Sequence, residues 1–171
     1  MRLTIGCSAH IGNLLAHDVS KIITGTNSTQ QRILQVIKYF RNHHLPKSWL
    51  NEAGGTIMEM PIEVRWNSFC STFKSYLRNW PLLIQISDQH RSEMDCDVIL
   101  YIQSVSLKRN VEELVPVMEP IAIAIDKLQK SVCNIAESVF IWKKLKVELW
   151  DCPNFNLLCK NCFDQRYLMA L

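Results

Sequence analysis

Residues 108–132 read KRNVEELVPVMEPIAIAIDKLQKSV, and the fold class turns on whether this stretch is a helix. Val111, Leu114, Val115, Met118, Ile121, Ala122, Ile125 and Leu128 recur at the spacing that lays one apolar stripe along an α-helix. Pro116 and Pro120 each remove an amide donor, so a bend, or two helices end to end, is expected there.

The same period recurs on both sides. In STQQRILQVIKYFRNHH (28–44), Ile33, Val36, Ile37 and Phe40 form a stripe with Arg32, Lys38 and Arg41 mostly off it, and Pro46 is expected to end that helix. In NSFCSTFKSYLRNWPLLIQIS (67–87), Phe69, Phe73, Tyr76, Leu77, Trp80 and Ile84 share a face, with Pro81 placed to kink or restart it. Asn134 followed by Glu137 is a capping signal that opens a further helix, NIAESVFIWKKLKVEL (134–149). Strand signals are confined to two scraps: Arg2 to Ile5, and an extended piece near 56–65 with Pro61 on an edge. Gly54-Gly55 is the one strong break in mid-chain. The expectation is a mainly α helical bundle of about six or seven helices, in one domain spanning the 171 residues.

Composition narrows the function classes. With 48% hydrophobic and 20% charged residues the chain has the balance of a packed protein, which excludes disorder as its main state. No uncharged run reaches the roughly 20 apolar residues of a membrane-spanning helix, so no membrane partner is expected. The seven cysteines are scattered and odd in number, a pattern that suits buried thiols in a reducing compartment better than a disulfide framework. A nuclear or cytoplasmic location follows from that reading. The net charge of +3 is small but unevenly placed. From Val19 to Asn51 there is no acid, while Lys38, Arg41 and Lys47 are candidate phosphate contacts. A solvated helix face, neutralised from elsewhere in the fold, explains the same pattern.

Chemistry-bearing groups are sparse. Cys7 and His10, three residues apart, could with His17 and the C-x-x-C of Cys159 and Cys162 supply zinc ligands, but no closely spaced second pair accompanies either half. A Cys7 thiolate with His10 as its base lacks an orienting third group. The acids Asp88, Glu93, Asp95 and Asp97 fit a surface turn, and no phosphate-binding glycine loop is present. Arg65-Trp66, followed by the capping pair Asn67 and Ser68, could hold a phosphate and stack on a base; Trp66 is equally a core anchor at a helix start.

Two blocks then fall into one pattern. GCSAHIGNLL (6–15) resembles the C-x-x-H-x-x-N-L block of hAT-superfamily DNA transposases, and EVRWNS (63–68) resembles the R-W-N-S block that follows it in those enzymes. IKYFRNHHLPKSWLNEAGG (37–55), YLRNWPLLIQI (76–86) and the segment from Lys108 to Leu145 are similar to one subfamily, and FDQRYLMAL (163–171) resembles the helix before the family's Pro-His block. The resemblance implies a ribonuclease-H-like catalytic domain interrupted by a large helical insertion. Residues 1–25 would then be an edge of that core and 26–171 the insertion region, together a single incomplete domain. It implies three acids that bind magnesium or manganese in the full-length family, none of which Asp18 or Glu52 matches, so no metal cofactor and no DNA cutting are expected of this chain. Cys7, His10, Arg65 and Trp66 are the DNA-binding residues by resemblance. Weak DNA binding is one expected partnership; self-association, or association with a full-length transposase, is the other, because helix faces shaped to pack on a sheet would lie open.

Overall fold

The computed structural model describes residues 7–24, 28–61, 66–130 and 133–170, and among them are eight α-helices and no strand. In chain order they are α1 (Ser8–Thr24), α2 (Ser28–Asn42), α3 (His44–Glu52), α4 (Trp66–Gln89), α5 (Cys96–Gln103), α6 (Val105–Leu128), α7 (Ile135–Trp150) and α8 (Leu157–Ala170). Arg2 to Ile5, Arg65 and residues 62–64 of the expected extended piece lie outside the described residues. The chain clusters into two units, residues 26–112 and residues 1–25 with 113–171, so the division falls inside α6.

Of the expected bend or break at the prolines, the break does not occur. α4 and α6 each run as one helix through Pro81 and through Pro116 and Pro120. Pro81 and Pro116 are exposed, so water can reach the carbonyl one turn earlier that has lost its donor. Pro46 does not end a helix; it lies in the first turn of α3, where amide donors have no partner within the helix.

In the unit of residues 26–112, α2 buries Ile33, Val36, Ile37 and Phe40, the stripe its spacing predicts. α4 is rotated from the expected face. Phe73 and Tyr76 are buried, but Phe69, Leu77, Trp80 and Ile84 are only partly so, and Cys70, Thr72, Ser75, Asn79, Leu83 and Ile86 are buried instead. The rotation aims the polar residues at segment 56–61, which forms neither helix nor strand. The Asn79 side chain accepts from Thr56 N at 2.8 Å and donates to Thr56 O at 3.1 Å, pairing one residue's backbone as a neighbouring strand would. Ser75 Oγ accepts from Glu59 N at 3.0 Å, and Arg41 Nη1 donates to Met58 O at 3.3 Å. Entry into this segment is fixed by the glycines. Gly54, at φ +80°, donates to Asn51 O, and Gly55 donates to Leu50 O, a double closure of the end of α3. A side chain at Gly55 would meet the Leu50 carbonyl oxygen at 2.9 Å.

In the other unit, α1 buries Ile11, Leu15, Ala16 and Val19 and packs along α8. Gly12 lets α1 approach α6, since a Cβ there would come within 2.9 Å of Ile125 Cγ1. Asp18 on α1 accepts from Arg166 of α8 at 3.0 and 2.7 Å through one carboxylate oxygen. Asn134 and Glu137 form the expected capping box at the start of α7. Trp142, Phe155 and Phe163 close the core between α7 and α8, with Trp150 and Tyr167 against Phe163.

Replacing Asn79 by Ala should lower unfolding free energy by about 2 kcal/mol in urea titration, because Thr56 loses both backbone partners. Tyr76 Oη is fully buried with no hydrogen-bond partner among the described residues. Tyr76→Phe should therefore raise stability, by about 1 kcal/mol on the same assay.

Candidate functional site

The sequence-predicted residues divide between the two units. Cys7 and His10 belong to the unit of α1; Lys38, Arg41, Lys47 and Trp66 belong to that of α2 to α5. Cys7 precedes α1, and its carbonyl accepts the first helical bond, from Ile11 N at 3.1 Å. Cys7 and His10 are both exposed. Trp66 is the first residue of α4, half-buried, its ring 5.4 Å from that of Phe69 and tilted by 37°. The helix thus begins before the expected capping pair, Asn67 and Ser68.

The basic stretch is exposed at Lys38, Arg41 and Lys47. Arg41 has a structural task, since its guanidinium holds the backbone of Met58. Lys38 lines a shallow groove with His43, Tyr39, Asp95 and Asp97, so two carboxylates from the start of α5 share that surface with it, although neither is ion-paired to it among the described residues. Arg32 lies over the Tyr101 ring at 5.7 Å. The expected acidic turn is found: Asp88 accepts from Gln103 at 3.1 Å, Glu93 lies 3.2 Å from His90, and Asp95 sits at the N-cap position of α5 without a side-chain capping bond.

All seven thiols are free, and only Cys70 and Cys159 are fully buried, fewer than expected. Among the described residues no three Cys, His, Asp or Glu side chains converge on one point. Cys162 instead donates to Asp18 at 3.7 Å, beside the Asp18–Arg166 pair. Burial, reinforced by the neighbouring Asp18 charge, pushes the Cys162 thiol up to about 11, and burial also raises Cys159. Both shifts disfavour the thiolate, the nucleophilic form.

The surface that sequence reasoning did not locate is apolar. On α8, Leu157 and Leu158 at one end and Leu168 and Met169 at the other are exposed, at 58 to 78%. An eleven-residue step returns a helix to nearly the same side, so these four form one stripe with Asn161, Asp164 and Gln165 between its ends. The opposite side buries Cys159, Phe163 and Ala170. On α7, Phe140 and Val147 are likewise exposed, seven residues apart on one face. The signal available in the sequence was that LLCKNCFDQRYLMA mixes apolar and polar residues around the helix, so that burying one side leaves apolar residues on the other.

No helix among the described residues is long and apolar enough to cross a membrane. No family model, curated protein or solved structure matches the chain.

The raised Cys162 value has a pH consequence. Folding holds that proton more tightly than the unfolded chain does, so the stability it contributes is complete below about pH 9 and lost as pH rises toward about 11. Thermal unfolding should show a larger loss between pH 8 and pH 10.5 for the wild type than for Cys162→Ser, at about those pH values.

Proposed function

We propose that this chain is a helical protein-interaction module of hAT-transposase descent that associates with itself through α8. The observation that carries the reading is that α8, beyond the side covered by its own unit, exposes Leu157 and Leu158 at one end and Leu168 and Met169 at the other, with Asn161, Asp164 and Gln165 between them. A helix of this kind in water gains by being covered on both sides. The stripe is also self-complementary. Turned antiparallel, two copies of α8 bring Leu157 and Leu158 of one against Leu168 and Met169 of the other, the arrangement of a two-fold interface. The all-helical architecture fits the helical insertion that the resemblance of the Cys7–His10 and Arg65-Trp66 blocks implies. Association with a longer transposase through the same stripe belongs to this reading.

Light scattering should give a mass above 19.9 kDa that rises with protein concentration, and Leu168→Lys with Met169→Lys should return it to the monomer. A wild-type monomer at every concentration would count against the reading.

Weak DNA contact is a second reading, favoured by the exposure of Lys38, Arg41 and Lys47 in a stretch without acids. It is the poorer fit, because Arg41 is engaged with Met58 and Asp95 and Asp97 stand beside Lys38. If it holds, a gel-shift series should show affinity falling steeply with salt, and Lys38→Ala with Lys47→Ala should flatten that slope by about two phosphate contacts. Magnesium- or manganese-dependent nicking of a labelled duplex by this chain would overturn the expectation that it does not cut DNA, and would favour the DNA reading over the interaction module.

A further inference from the structure

A groove with a volume of about 290 Å³ lies between α6 and α7, within a single unit. Its floor includes Ile123, Ala124, Phe140 and Leu145, of which Ile123 is 46% and Phe140 67% exposed. The apolar floor is therefore wet, although the surrounding helices are well formed.

The charges on its rim are unequally paired. Lys144 is 3.6 Å from Glu148, so these two offset each other. Glu137 is engaged in the capping box, its carboxylate accepting from Asn134 N at 3.3 Å. Lys127 and Lys130 also line the groove, and neither forms an ion pair with any described acid. Lys127 lies in the last turn of α6 and Lys130 two residues past its end, and both place positive charge on the rim of the groove. An occupant must therefore be apolar where it meets Phe140 and Ile123, and negative where it meets Lys127 and Lys130.

The walls decide its backbone form. Both are helices, whose backbone groups are paired internally, so the groove offers no strand edge to an extended peptide. A segment entering it has to satisfy its own amides and carbonyls, which an α-helix does.

We propose that the α6–α7 groove docks an acidic amphipathic helix from a partner protein, with large aliphatic side chains on one face and carboxylates flanking them toward Lys127 and Lys130. The inference rests on the reading of this chain as an interaction module and uses a surface separate from the α8 stripe. Apolar burial supplies the affinity, and the two lysines supply orientation and discrimination among helices with the same apolar pattern.

The probe is a fluorescein-labelled helical peptide of leucine, alanine and glutamate with leucines at i, i+3, i+4 and i+7, titrated with the full chain and followed by anisotropy. A second peptide keeps the leucines and replaces every glutamate by lysine. The glutamate peptide should bind at least about tenfold tighter at low salt, with the gap narrowing as salt rises. Lys127→Glu with Lys130→Glu should invert the preference, Phe140→Ala should weaken both peptides, and Leu168→Lys should leave the titration unchanged; all four positions are exposed, so the fold tolerates these changes. Equal binding of the two peptides, no inversion by the charge-reversed variant, or no binding of either would overturn the proposal. A chain that self-associates yet binds neither peptide sinks this inference alone. A strict monomer that binds the glutamate peptide as described sinks self-association through α8 and upholds the groove.

Discussion

An α-helix satisfies its backbone internally and leaves only its side-chain faces to decide where it goes. In a protein whose described elements are all helices, every apolar face must find another helix or remain in water. That constraint explains both the order and the openness of this molecule. α2 and α4 meet it by packing together with α5 within one unit, as one side of α8 does against α1 in the other, and there α1 comes close to α6 only because Gly12 has no side chain to hold the helices apart. α7 and α8 have further apolar residues on sides that nothing in their own unit covers. The exposed residues are therefore a property of helices with more than one apolar side, and the functional proposals follow from that geometry.

Where a strand could have been used, the molecule uses side chains instead. Residues 56–61 form neither helix nor strand and need partners for their amides and carbonyls, and α4 supplies Asn79 and Ser75 for that purpose while α2 supplies Arg41. This has two consequences. It turns α4 so that polar residues face inward at the cost of an apolar stripe, and it commits Arg41 to a structural bond that would otherwise leave it available to phosphate. The same pattern appears at Lys38, whose surroundings include Asp95 and Asp97 from a distant part of the sequence. Positive charge that is conspicuous along the chain thus shares its surface with acids distant in sequence, and Lys127 and Lys130, inconspicuous in the sequence beside Asp126, stand at a wet apolar groove.

The thiols illustrate how position changes chemistry. A C-x-x-C pair is compatible with metal binding or redox work, yet here Cys159 is buried and Cys162 sits against the Asp18 carboxylate. Both surroundings favour the protonated thiol, and the pair belongs to the packing of α8 on α1.

Helical period, the Gly54-Gly55 break and the Asn134/Glu137 cap are local properties, fixed by side-chain spacing and backbone sterics, and the sequence by itself determined them. The mainly α class and the buried stripe of α2 were legible for that reason. Tertiary structure decided what depends on groups far apart in the chain: which way α4 turns, whether prolines interrupt a helix or merely face water, which lysines are neutralised, and which apolar residues are left uncovered. Residues 108–132 show the boundary between the two. Their period dictated a helix, but that Ile123 would stay in water opposite Phe140, with Lys127 and Lys130 beside it, depended on where α7 came to lie. A side chain's burial and electrostatic surroundings are set by its neighbours in space, and linear order fixes only the few of those within a turn or two of helix.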